Sequence, residues 1–200
     1  MPHGRLIWRE GYIYKLTAGL EIANHRYFPL RERGYDHVGG LDFHRGRVYA
    51  SLEHVEYKEP MLVSFNQELE LESCSILPEL RHFSWVAIDD DGFLYSSEFD
   101  PCSEIKIYSA YSHPEASLEG RIPLNRTLHK VQGGCFYEGR LYLSCDDEGK
   151  SIYAVDLSGR VSKVIDTKIE QEMEDLYIDE EGEIYFIDHQ GSLYKVSPGL

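Results

Sequence analysis

Acidic side chains recur at the ends of short strand-forming runs along this chain, in positions suited to binding a divalent cation. Oxygen-rich sites of this kind suit Ca²⁺ or Mg²⁺. Carboxylates that face one another repel unless a cation or a basic partner neutralises them. The alternative is that each acid accepts hydrogen bonds from loop amides or faces water. The predicted ligands, with Ca²⁺ as the expected ion, are Glu53, Glu98, Asp146, Glu174 and Asp188.

Two histidines near these acids are candidate general bases. His37 precedes the pair Gly39-Gly40, whose lack of side chains permits close approach of a ligand or of another strand. His189 follows Asp188 directly, and a histidine beside a carboxylate can act in proton transfer. A hydrogen-bonded loop histidine is the alternative at both positions.

Three further residues are candidates for ligand contact, because each precedes or opens a run that resembles an inner strand. Trp85 could stack on a ligand, or it could fill the core. His129 and Gln132 stand before the second glycine pair, Gly133-Gly134. The sequence contains no Gly-x-Ser-x-Gly, phosphate-binding, dinucleotide-binding or His-Glu-x-x-His motif.

A Gly-x-x-Tyr motif recurs through the chain and indicates how these residues are positioned. Its glycines are 46, 47 and 43 residues apart, and each follows a polar residue, as in two-residue hairpin turns. A hairpin at this period is typical of a propeller blade. We name the strands of each repeat A to D from the axis outward. Antiparallel pairing places the start of A and the end of B together at one end of the channel, the mouth. The glycines are Gly46, Gly92, Gly139 and Gly182.

The sequence therefore predicts an all-β fold with one domain over residues 1–200, a β-propeller of about five four-stranded blades. The repeats are centred near residues 46, 92, 139 and 182, with a partial blade at 1–34. Open strand edges invite aggregation, so some closure is expected. An N-terminal strand could complete the last blade, the chain could be part of a six-bladed propeller, or two copies could complete each other.

Composition limits the partners. With 35 acidic and 20 basic residues the net charge is −15, which argues against binding nucleic acid. No apolar run is long enough to span a membrane. The four cysteines include no Cys-x-x-Cys pair, which argues against a thiolate zinc site. Cys135 and Cys145 lie on one predicted hairpin but not directly opposite, so we interpret all four as reduced thiols, consistent with a cytoplasmic protein. A secreted protein whose signal has been removed is the alternative.

Segments 37–49, 132–142 and 174–185 look like repeats of the NHL-like propeller superfamily, which includes gluconolactonase-type and strictosidine-synthase-like proteins. The resemblance implies a propeller. Its lactonase branch implies a divalent metal on the axis, with Glu174 and Asp188 as the acids able to hold it.

Three functions are consistent with these patterns, and whether the protein is an enzyme stays open. The first is a binding propeller whose acidic mouth engages a small ligand, a divalent cation or a basic protein partner. The second is a metal-dependent hydrolase of lactones or esters, with His37 or His189 as the base. The third is a module that self-assembles through its terminal blades.

Overall fold

The fold is all-β in this computed structural model, which describes residues 5–9, 12–17, 21–27, 30–56, 58–109 and 116–197. Parts of the predicted domain lie outside these ranges, including residues 1–4, 10, 11, 18–20, 28 and 29 of the predicted partial blade at 1–34. The described residues form eighteen strands and one short 3-10 helix, Arg31–Arg33.

The strands form five antiparallel sheets, in each of which chain neighbours pair. The first and last sheets are β1 (Arg5–Arg9), β2 (Tyr12–Leu16), β3 (Ile22–Tyr27) and β16 (Met173–Ile178), β17 (Ile184–Asp188), β18 (Leu193–Val196). The second is β4 (Tyr35–His44), β5 (Arg47–His54), β6 (Met61–Phe65), β7 (Leu71–Ile76). The third and fourth are β8 (Ala87–Ile88), β9 (Phe93–Ser96), β10 (Cys102–Ser109), β11 (Leu118–Leu128) and β12 (Val131–Tyr137), β13 (Arg140–Cys145), β14 (Ser151–Asp156), β15 (Val161–Asp166).

The prediction of about five four-stranded blades is wrong in detail. Three sheets have four strands, and the first and last have three. Four inner strands, β4, β8, β12 and β16, contact one another around a common axis. The β1–β3 sheet instead packs beside β4–β7, where Ile13 joins the hydrophobic cluster of Val48 and Phe65. The arrangement at the axis is therefore that of four propeller blades.

Hydrogen bonds that involve side chains link each neighbouring pair of blades near the axis. Two of these bonds use carboxylates as acceptors and two use serine hydroxyls as donors, so polar groups join the blades around the ring. The bonds run from Ile88 N to Asp42 (2.5 Å), from Ser84 Oγ to Val131 O (2.6 Å), from Ser144 Oγ to Glu174 O (2.7 Å) and from Leu41 N to Asp175 (2.9 Å).

Away from the axis, the sheets pack face to face through apolar side chains. Separate hydrophobic clusters join β4–β7 to β8–β11, β8–β11 to β12–β15, and β12–β15 to β16–β18. Fully buried members include Phe83, Ile105, Val155 and Met173. This stacking of twisted sheets is how a propeller buries its core.

The predicted hairpin turns take two forms. Arg45-Gly46 and Glu138-Gly139 have positive φ at both residues, as two-residue turns require. In the other two hairpins, Gly92 and Gly182 have positive φ, but the preceding Asp91 and Glu181 do not. The turns of these two hairpins are wider. The expectation of a two-residue turn in all four hairpins is therefore wrong for two of them.

Three of the loops are stabilised by an aspartate that accepts a hydrogen bond from a tyrosine. One carboxylate oxygen accepts the backbone N–H four residues later, and the other accepts the tyrosine hydroxyl six residues later. The carboxylate thus accepts hydrogen bonds that the loop amide and the tyrosine hydroxyl would otherwise make to water. The pairs are Asp89 with Tyr95, Asp147 with Tyr153 and Asp188 with Tyr194.

Two expectations from composition can be compared with the described residues. All four cysteines are free, and Cys102, Cys135 and Cys145 are buried. Burial raises the pKa of the Cys102 thiol to about 11, so it stays protonated at neutral pH. In the described part of the chain, no helix is long and apolar enough to cross a bilayer.

Gly133 offers a direct test of the packing at the axis. A Cβ there would lie 2.6 Å from Asp175 Cα and 2.8 Å from Glu174 O, both of which are backbone atoms. We expect Gly133→Ala to lower the free energy of unfolding by about 2–3 kcal/mol, because backbone must move. Gly120→Ala is the control, since its Cβ would meet Ile107 Cδ1 at an ordinary 3.6 Å. Equal urea-unfolding midpoints for the two variants would contradict the packing described.

Candidate functional site

A cleft of about 400 Å³ opens at the mouth, where the inner strands begin and the next strands end. His37 on β4 lies directly opposite Glu53 on β5 in the ladder, so antiparallel pairing brings them together as expected. Of the other lining residues, His82 and Glu172 lie in the loops before β8 and β16, and Phe99 lies in the loop after β9. The cleft is lined by His37, Glu53, His54, Val55, His82, Phe99, Gln132, Glu172 and Glu174.

Glu53 is the buried acid of this cleft. Glu53 is only 5% exposed, and its Oε1 receives no hydrogen bond among the described residues. His82 Nε2 lies 2.9 Å from Oε1, within ion-pair distance, and His37 Nε2 lies 3.9 Å from Oε2. The His82 ring packs on Phe99 with 4.6 Å between ring centroids, which fixes its position. An ionised Glu53 thus needs further positive charge or a donor at Oε1.

Glu172 and Glu174 place two more carboxylates on the opposite side. Gln132 Nε2 donates to Glu172, which holds that side chain. Burial, followed by repulsion from Glu172, raises the pKa of Glu174 to about 7; Asp146, Glu53 and Asp188 add smaller effects. Around neutral pH, a small change in local charge therefore decides whether Glu174 is ionised.

Two half-buried aspartates lie on the inner strands β4 and β16. Asp42 and Asp175 accept backbone N–H groups from β8 and β4. Burial raises the pKa of Asp42 to about 7 and that of Asp175 to about 8. For Asp175 the neighbouring carboxyls of Asp42 and Glu174 add to this shift, while backbone hydrogen bonds oppose it. Sequence analysis named neither residue as a site residue.

The five predicted metal ligands do not lie together in the structure. Glu53 and Glu174 line the cleft, whereas the other three side chains have partners in the protein. Glu98 accepts the N–H groups of Arg81 and His82, Asp146 pairs with Lys130 and Lys150, and Asp188 accepts loop amides and a tyrosine hydroxyl. Hydrogen bonds thus lower the pKa of Asp188, although burial opposes them.

The set therefore does not fit the predicted calcium site. Among the described residues, no group of three or more His, Cys, Asp and Glu side chains is arranged to hold a metal ion. The alternative considered from the sequence, acids that accept loop amides, describes Glu98 and Asp188.

Of the other predicted site residues, some line the cleft and others do not. His37 and Gln132 line the cleft, but His189 is exposed outside its lining and His129 pairs with Asp100 at 2.7 Å. The prediction that Trp85 stacks on a ligand is wrong. Trp85 is fully buried, with its Nε1 donating to Ser97 Oγ.

Five lining residues were not identified from the sequence. Each lies one to three residues from a predicted site residue, in or beside a loop where strand alternation no longer applies. These residues are His54, Val55, His82, Phe99 and Glu172.

No protein-family model matches the chain, and no curated protein matches it. Solved structures do. Glutaminyl cyclase from Myxococcus xanthus superposes with a TM-score of 0.68 at 12% identity, over 97% of this chain and 87% of that chain. A catalytically inactive virginiamycin B lyase from Staphylococcus aureus, solved with quinupristin, gives 0.57 at 10% identity, over 95% and 64%. A WD40 β-propeller domain gives 0.52 at 9% identity, over 96% and 62%.

At these identities the likeness concerns the fold alone, and it agrees with the arrangement of sheets. The chain is an all-β protein of the β-propeller class. The narrower resemblance to NHL-like and gluconolactonase-type repeats stays a prediction.

The raised carboxyl pKa values make stability depend on pH. In the unfolded chain these groups ionise near pH 4, but in the folded protein Asp42, Glu174 and Asp175 hold their protons to about pH 7–8. Their contribution to the free energy of unfolding is complete at pH values below the pKa of the unfolded state. It is lost as the pH rises through the pKa values of the folded state.

We therefore expect the free energy of unfolding to fall by about 1 kcal/mol or more between about pH 6 and about pH 8. Urea unfolding at the two pH values measures it. Asp175→Asn removes one ionisation and should reduce the dependence. Stability that is constant or rises over this interval would contradict the burial of these acids.

Proposed function

We propose that the cleft at the mouth binds a small ligand through a protonated amine. The observation that carries the proposal is Glu53, a buried carboxylate that is paired with the imidazoles of His82 and His37 but with no lysine or arginine among the described lining residues of the cleft. A buried charge is costly unless it is paired and hydrogen-bonded. An ammonium group supplies both, since it carries positive charge and three donors.

The charge of the whole cleft supports the same ligand. Three of its nine described lining residues are glutamates, and none is lysine or arginine. The raised pKa of Glu174 reflects, after burial, repulsion among these acids. A cation placed between Glu53 and Glu174 would relieve that repulsion and lower the pKa of Glu174. Binding should therefore release a proton near neutral pH.

The size and the apolar walls favour an organic amine. A cleft of about 400 Å³ is within the range of small-molecule sites. Phe99 and Val55 offer apolar surface beside the carboxylates. A primary amine that carries a short apolar or aromatic group matches both features.

This proposal refines the binding propeller predicted from the sequence and replaces its calcium ion with an organic cation. The lactone or ester hydrolase requires a metal, and Glu98, Asp146 and Asp188 already have partners within the protein. The observations support that alternative least.

Phenethylamine and 2-phenylethanol form a matched pair of probes, with the same ring and chain but with and without the charge. We expect calorimetry to detect binding of phenethylamine and much weaker binding of the alcohol. Glu53→Gln and Glu174→Gln should each weaken the binding of phenethylamine by about tenfold or more. Each variant lacks one of the carboxylates that attract the ammonium group. Affinity should also fall as pH drops from about 8 to about 6, since Glu174 becomes protonated.

Glu148→Gln is the control, because it removes an acid outside this cleft and leaves the net charge equal to that of the two test variants. An equal loss in all three variants would mean that only the overall negative charge matters. Equal binding of the amine and the alcohol would refute the proposal.

A second candidate function is catalysis at the same amine site. His82 Nε2 lies 2.9 Å from the buried Glu53 Oε1, an arrangement able to accept and return a proton. One protein of similar fold is by name a glutaminyl cyclase. A peptide with N-terminal glutamine carries an amine and a side-chain amide. The ammonium would first give one proton to Glu53. The neutral amine nitrogen would then form a bond to the amide carbon as the amide C–N bond breaks, while His82 moves a second proton from the attacking nitrogen to the departing one, which leaves as ammonia.

Mass spectrometry of a Gln-Phe-Ala peptide tests this candidate through the loss of one ammonia. We expect His82→Gln to abolish turnover and to leave phenethylamine affinity within about threefold. Amine binding without turnover would remove the catalytic candidate and leave the binding function intact.

A further inference from the structure

The loop that carries His82 is bound by side chains from the other strands of its own blade. Residues 77–86, all of them described, connect β7 to β8 and belong to no strand. At the start of this loop, the Tyr108 hydroxyl on β10 donates to Pro78 O at 2.7 Å. The backbone of His82 therefore takes its position from contacts outside a ladder.

The Glu98 carboxylate binds two successive amides of this loop. Its Oε1 accepts the N–H of Arg81 (3.1 Å) and its Oε2 accepts the N–H of His82 (3.3 Å). Because each carboxylate oxygen takes one amide, the direction of the backbone at His82 is fixed. Phe99, the next residue, packs its ring on the His82 imidazole with 4.6 Å between ring centroids. Glu98 and Phe99 thus hold both the backbone and the ring of His82.

Lys106 on β10 places a buried positive charge beside Glu98. Its side chain is only 7% exposed, and its Nζ lies 3.7 Å from Glu98 Oε1. The same ammonium group donates to Glu79 O, a carbonyl of the loop. Glu104 lies 4.0 Å from Lys106 but is closer to Arg121, at 2.5 Å. A buried charge is costly unless it is paired and hydrogen-bonded, so Lys106 keeps Glu98 beside the loop.

From these contacts we infer that Glu98 is a positioning residue for the amine site, with Lys106 as the charge that holds it in place. By binding the loop, Glu98 keeps His82 Nε2 at 2.9 Å from Glu53 Oε1. The ligand ammonium binds Glu53 in the proposed function, on which this inference rests. The position of His82 then determines how much of that carboxylate stays open to the ammonium. Glu98 lies outside the lining of the cleft, so it acts on a ligand through His82.

Nitrogen NMR of the histidine side chains in the full chain tests this inference. We expect Glu53→Gln to shift the His82 Nε2 signal of the natural chain, because it replaces the carboxylate at 2.9 Å. In a chain that already carries Glu98→Gln, the same change should shift the signal by at most about half as much, since coupled residues are not additive. The Gln amide has one acceptor oxygen, so it cannot accept both loop amides.

A second variant and a matched control separate positioning from general damage. Lys106→Met removes the ammonium beside Glu98 and should reduce the shift in the same way. Glu104→Gln also removes an acid near Lys106, but one that pairs with Arg121, and it should preserve the full shift. A full shift in both Glu98→Gln and Lys106→Met would overturn the inference. So would an equal loss in Glu104→Gln, or a His82 signal that Glu53→Gln leaves unchanged in the natural chain.

This test fails separately from that of the proposed function, because it needs no ligand. Amine binding together with a full shift in Glu98→Gln would refute the positioning role alone. A reduced shift in a chain that binds no phenethylamine would refute the amine site alone. Where both hold, phenethylamine should move the His82 signal of the natural chain at least about twofold more than that of Glu98→Gln.

Discussion

Close packing of four inner strands at one axis is the constraint on which the other features depend. Gly133 lets β12 pass within contact distance of the backbone of β16, and the fully buried Trp85 fills the space beside Gly134. The buried carboxyls of Asp42 and Asp175 bind backbone N–H groups across two of the junctions. Because the axis is filled in this way, the cleft opens at the mouth. Burial raises the pKa values of Asp42 and Asp175, and Glu174 at the mouth has a raised pKa through its own burial and through repulsion from Glu172.

The repeat could be predicted from sequence because turn chemistry and strand alternation are local. Gly46 and Gly139 do adopt positive φ in two-residue turns, and the hairpins lie where the motif places them. The number of strands at the axis could not be predicted in this way. It depends on how closely β4 and β16 approach, which is determined by long-range contacts such as that of Leu41 N with Asp175. Local patterns carry no information about those contacts.

The site was predicted in part, for a similar reason. His37 and Glu53 are opposite residues of one ladder, so alternation alone brings them together. Glu98 and Asp188 occupy equivalent positions, but Glu98 accepts amides of the loop before β8 and Asp188 accepts amides of its own loop. A carboxylate that accepts loop amides and one that faces a ligand look the same in sequence. His82 comes from a loop, where period-two reasoning no longer applies.

A crystal structure of the chain grown with phenethylamine would test the central claim most directly. The account predicts that the ammonium nitrogen lies within hydrogen-bond distance of Glu53 Oε1, with the ring against Phe99. Ligand bound elsewhere, or an ammonium nitrogen that makes no contact with Glu53, would contradict it.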